Sequence, residues 1–111
     1  MNQPDAPAVS LGIDVPDIGS VSGLFINPAG AESLLVVGHG AGAGMSHPFM
    51  EAIASALAAR GVATLRYQFP YMEAGRRAPD RPPRLVATVR AAVKAAGQLA
   101  GSLPLFAGGK S

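Results

Sequence analysis

The stretch Leu34-Leu35-Val36-Val37-Gly38-His39-Gly40-Ala41-Gly42-Ala43-Gly44 limits what this chain can fold into more than any other. Four consecutive Leu and Val residues predict a strand buried on both faces, the habit of parallel sheets. The run breaks directly into alternating glycines, which let backbone approach a neighbour closely or adopt positive φ. A loop of that kind at the carboxyl end of a buried strand is where open α/β sheets hold their ligands. With 111 residues, 49 % of them hydrophobic, the chain has material for one domain with its own core.

Composition narrows the function classes. The formal charge is only +2, and the basic residues gather at 76–84 and 90–94, on an expected loop and one helix face. With two Tyr in the whole chain, no nucleic-acid partner is expected. Cysteine is absent, which excludes disulfides, a thiol nucleophile and thiolate metal sites. No apolar run approaches the roughly 20 residues that span a bilayer. Met1-Asn2-Gln3-Pro4-Asp5 lacks the basic-then-apolar order of a leader, so no membrane association and a cytoplasmic location are expected.

Taken in order, residues 1–8 have the polar, proline-containing composition of a disordered end. Alternation over 9–15 and 21–26, with Pro16-Asp17-Ile18-Gly19 between, predicts an antiparallel hairpin. After the glycine loop, Ser46-His47-Pro48 predicts a helix start, with Phe49, Ile53, Ala56 and Leu57 as its packing face and Gly61 as its stop. Residues 62–69 read as a strand ended by Pro70, and 71–80 as a surface loop. Arg81-Pro82-Pro83 opens a second helix with an apolar stripe of Leu85, Val86, Val89, Ala92, Val93 and Ala96, its charges forming a solvated face. Gly97 and Gly101 end it, and 104–108 is expected to be a third short buried strand.

Three chemistries compete for the glycine loop. Gly38, Gly40 and Ala43 fit a dinucleotide fingerprint, but that fold wants an acid at the end of the next strand, and none occurs before Glu73. Gly109-Lys110-Ser111 matches the end of a phosphate loop, but the required first glycine is Pro104. The same tripeptide after a strand also fits the opening of a nucleophile elbow, G-x-S-x-G, in which a sharp turn exposes a serine hydroxyl above the sheet.

Several motifs in sequence carry a resemblance: residues 38–45, Pro48-Phe49-Met50, residues 66–72, Pro79-Asp80-Arg81-Pro82-Pro83 and Gly108-Gly109-Lys110-Ser111. Together they resemble bacterial hydrolases of the α/β-hydrolase superfamily related to dienelactone hydrolases, a group with eukaryotic relatives in chromatin complexes. The resemblance implies that residues 9–111 form the N-terminal half of an α/β-hydrolase domain: a β-hairpin plus three parallel strands with two crossover helices, truncated at the nucleophile elbow. It implies Ser111 as nucleophile, the Ala41 backbone N–H as an oxyanion-hole donor, and His39, Gly40 and Gly42 as the residues that shape the oxyanion loop. An ester-like small molecule is the implied substrate, and no cofactor or metal is expected. Acid and general base follow the serine in such enzymes, so the 111-residue polypeptide is expected to be inactive or nearly so. His39 is expected to hydrogen-bond backbone in its loop, and His47 and Ser46 to cap the first helix. Asp14, Asp17 and Asp80 read as turn or capping residues. The two histidines, eight residues apart with no carboxylate suitably spaced, make no metal site. A non-catalytic alternative remains, in which the apolar last strand is an open edge that recruits a second chain.

Overall fold

The computed structural model describes residues 6–110. Strands β1 (Ala8–Val15) and β2 (Gly19–Ile26) form the expected hairpin, paired from Ala8↔Ile26 to Val15↔Gly19. Its turn puts Asp17 at φ 65° and closes with the Ile18 N–H on the Val15 carbonyl at 3.0 Å. Inward-facing Ile13, Val15 and Val21 are buried, the alternation that predicted the hairpin. Asp14 is no turn residue: it lies within β1 opposite Ser20.

Strand β3 (Ser33–Gly38) leads through helix α1 (Pro48–Ala58) to β4 (Val62–Tyr67), and β4 leads through helices α2 (Pro70–Glu73) and α3 (Pro82–Ala100) to β5 (Leu105–Gly109). The sheet order is β1-β2-β4-β3-β5, with β3 parallel to both β4 and β5. One crossover therefore runs to one side of β3 and the next runs back past it, which makes the carboxyl end of β3 a topological switch point. Helix α1 packs against β4, while α3 lies across β1, β3 and β5. Leu34, Val36, Ala63, Leu65 and Tyr67 meet Ala92, Ala96 and Ala100 in the core beneath α3.

The faces of the helices and of the last strand differ from expectation. On α1 the buried residues are Met50 and Ala54, whereas Phe49 and Ile53 are 44 % and 37 % exposed. Helix α1 rests mainly on β4, so a strip at spacing four is buried and the neighbouring apolar strip is left largely open. On α3 the buried row is Thr88, Ala92, Ala96 and Ala100, and Val86 and Val89 face out. Small side chains let the helix approach the sheet closely, and Thr88 spends its hydroxyl on the Arg84 carbonyl at 2.8 Å. Strand β5 is an exposed edge, bonded to β3 on one side alone, with Phe106 58 % exposed.

Residues 70–80 are not simply a surface loop. Pro70–Glu73 is a helical turn, and both Tyr71 and Asp80 are buried. The Asp80 carboxylate accepts the Tyr71 N–H at 2.9 Å and so caps α2 from nine residues downstream. Glu73 accepts both the N–H and the hydroxyl of Ser22, at 2.7 and 3.0 Å, which ties α2 to β2. At the start of α1 the cap is His47, whose Nδ1 accepts the Phe49 N–H at 3.2 Å, and Ser46 takes no part. Among the described residues, no helix is long and apolar enough to cross a membrane.

Candidate active site

The switch point brings the two glycine segments together. Pairing of β3 with β5 runs to Gly38↔Gly109, and the Lys110 N–H continues it by donating to the Gly38 carbonyl at 3.1 Å. A Cβ on Gly38 would lie 2.7 Å from the Tyr67 hydroxyl, so this position accepts only glycine without rearrangement. Ser111 lies outside the described residues.

His39 follows and is buried, with both ring nitrogens engaged. Nε2 accepts the Phe69 N–H at 3.0 Å, which requires that nitrogen to be unprotonated. The proton then sits on Nδ1, which donates to the Gly40 carbonyl at 2.8 Å. Burial pushes the imidazole pKa below its ordinary 6.5, against a smaller opposing effect of the bond to Gly40. The ring also meets Phe69 and Tyr71 edge-on, with centroids 5.1 and 5.9 Å away. This geometry suits a neutral cross-brace between the loop and the segment after β4.

Gly40-Ala41-Gly42-Ala43 makes a turn, closed by a 3.4 Å bond from the Ala43 N–H to the Gly40 carbonyl. Gly42 takes φ +79° at its third position, where type II turns need glycine. Ala41 is exposed at the tip. Beyond it, Met45 is held on both sides: its N–H donates to Gln68 Oε1, and its carbonyl accepts from Arg66 Nη1, both at 3.1 Å. Arg66 is buried, and desolvation lowers its pKa despite the opposing field of Glu51.

Arg66, Gln68 and Phe69 were missed as site residues in the sequence. The available signal was three polar side chains, Thr64, Arg66 and Gln68, at alternate positions of a strand-like run, because buried polar groups need partners. The partners of Arg66 and Gln68 lie more than 20 residues away, beyond the reach of local pattern.

Two grooves flank the junction of β3 and β5. One, of about 370 Å³, is lined by His39, Tyr67, Phe69, Val89 and Gly109. The other, of about 410 Å³, lies on the α1 side among Val37, Phe49, Ile53 and Lys110. A larger cavity, about 640 Å³, is elsewhere, between the β1–β2 turn and α3, and touches none of the loop residues. The glycine loop does not run straight into a helix as a dinucleotide turn does, since residues 41–47 intervene before α1. Among the described residues no three His, Asp or Glu side chains gather in a way that would hold a metal ion.

A family model described as an alpha/beta hydrolase domain matches residues 31–111. No curated protein matches the chain significantly. Among solved structures, the dienelactone hydrolase of Anabaena variabilis superposes with a TM-score of 0.80 at 18 % identity, over 97 % of this chain and 53 % of that one. A lidless α/β serine hydrolase from Xanthomonas campestris gives 0.77 at 18 % identity, over 98 % and 54 %. An esterase of Pyrococcus furiosus gives 0.74 at 17 % identity, over 94 % and 40 %. The chain thus spans about half the length of the first two structures, and its hairpin, three parallel strands and crossover helices share their fold.

Proposed function

The chain belongs to the alpha/beta hydrolase domain family, and from that premise we propose that it contributes the oxyanion-loop half of a serine hydrolase acting on an ester or related acyl bond. Ser111 is the nucleophile in this reading and the Ala41 N–H one oxyanion donor. Ala41 is exposed at the loop tip, and no protein acceptor takes its N–H among the described residues. His39, Gly40 and Gly42 fix the loop around it. The observation that supports this reading best is the meeting of the two glycine segments, Gly38 against Gly109 with the Lys110 N–H on the Gly38 carbonyl. Ser111 follows Lys110 directly.

Neither histidine of the chain suits the role of general base. His39 has both nitrogens engaged, and His47 gives Nδ1 to the first turn of α1. With neither histidine placed to act as base, the 111-residue polypeptide is expected to hydrolyse p-nitrophenyl esters at less than roughly a thousandth of the rate of a hydrolase domain that carries these residues together with a general base, since general acid–base catalysis contributes about 100-fold to 10,000-fold. In such a domain Ser111→Ala should abolish turnover. Turnover that survives Ser111→Ala would overturn the assignment of the nucleophile, and Ser111-dependent turnover by the 111 residues alone would overturn the expected inactivity.

A non-catalytic reading rests on a separate observation, the open edge of β5, on which Leu105 and Phe106 are exposed among the described residues. Such an edge pairs with a second copy of the chain. Sedimentation velocity distinguishes the cases: a defined dimer supports this reading, and a monomer at high concentration contradicts it.

A further inference from the structure

Away from the glycine loop, three arginines line one cavity of about 460 Å³ between α2 and the start of α3: Arg76, Arg81 and Arg84, with Ala78, Pro79 and Asp80 completing the wall. We propose that this cavity binds a phosphate or pyrophosphate group. The charge count is unequal, three cations against the single carboxylate of Asp80. That carboxylate is already spent three ways: Oδ2 takes the Tyr71 N–H, and Oδ1 faces both Arg76 Nη2 at 3.5 Å and Arg84 Nε at 3.4 Å. Each arginine has one long contact there, well beyond the roughly 2.7–2.9 Å of a strong charge-assisted bond, and a guanidinium has five N–H donors. Asp80 therefore orients Arg76 and Arg84 without exhausting them.

Neighbouring groups leave the surplus in place. Glu73, beside Arg76 and Arg84 in an adjoining depression, directs both carboxylate oxygens at Ser22. The first turn of α3 contains no acidic residue. Pro82 and Pro83 have no N–H groups to offer there, so recognition falls to the side chains. Arginine forks match the tetrahedral oxygens of a phosphoryl group better than they match a halide. None of the lining residues borders the groove beside Gly109, so this proposal stands or falls independently of the hydrolase reading.

The test is calorimetric and NMR titration of the 111-residue polypeptide with inorganic phosphate, inorganic pyrophosphate and phenyl phosphate at constant ionic strength. Saturable binding in the millimolar range or tighter is expected, with shifts confined to residues 76–84. Phenyl phosphate binding more tightly than phosphate would identify a ligand carried on an organic group, and the reverse order a free anion. Arg76→Gln and Arg81→Gln should each weaken binding about tenfold. Arg90→Gln, which removes the same charge elsewhere on α3, should leave binding unchanged. Absence of saturation, or equal weakening by all three variants, would overturn the proposal.

Discussion

The corner where β3 meets β4 and the edge formed by β5 sit at the same end of one sheet, yet they are built in opposite ways. At the corner the glycine loop is braced at both ends: at one by His39 against Phe69 and Gly40 and by the close fit of Gly38 to Tyr67, at the other by Met45 on Gln68 and Arg66. At the edge, β5 has backbone bonds to β3 on one side and no buried residue. The contrast teaches that the shape of the glycine loop is a property of the β3–β4 unit, whereas β5 borrows its position from that unit.

The largest effect that sharpens this contrast is expected for His39→Ala. It removes a buried aromatic ring and leaves the Phe69 N–H without a partner, so urea denaturation should show a loss of about 3 kcal/mol. Gly38→Ala drives a Cβ against the Tyr67 hydroxyl and should cost about 1–3 kcal/mol by the same measurement. Arg66→Met exchanges a buried charge for an apolar chain, which offsets part of the lost bond to Met45. Its stability loss should stay near 1 kcal/mol, while hydrogen exchange of the 40–45 amides accelerates. If exchange there stays slow, the corner is not braced as described.

Protonation tests the same brace. The folded pKa of His39 lies below its unfolded value near 6.5, so below that pH the unfolded chain takes up a proton that the folded chain refuses. The stabilising contribution is fully present above about pH 6.5 and is lost as pH falls from there towards the folded pKa. Denaturation midpoints should decline across that window, and His39→Gln should flatten the decline. The smallest effect belongs to the edge: Phe106→Ser should change stability by no more than about 0.5 kcal/mol. A larger loss would mean that β5 is more than a passenger.

Much of the framework was legible in the chain because it is written locally. Alternation marked the hairpin, the Leu34–Val37 run marked β3, and Pro48, Gly61, Pro82 and Gly101 bounded the helices. The faces were harder. Phe49 and Ile53 have the spacing of a packing stripe, but a helix buries only the strip that a neighbour covers, and that neighbour is set by strand order. The burial of β5 was misjudged for the same reason, since apolar composition says nothing of which strand ends a sheet. Asp80 was legible as a cap, whereas its target, Tyr71 on α2, was hidden in a segment with no apolar period. The loop residues of the site could be named, but their braces at 66–69 depend on contacts across the fold.

Whether the loop is preformed turns on the state of the His39 ring. Long-range nitrogen–proton NMR of the imidazole reads it without reference to activity. The structure predicts a single neutral tautomer, protonated at Nδ1 with Nε2 accepting the Phe69 amide, that persists below pH 6.5 with that amide protected from exchange. A proton on Nε2, or an ordinary titration near 6.5 with a freely exchanging Phe69 amide, would contradict a preformed loop.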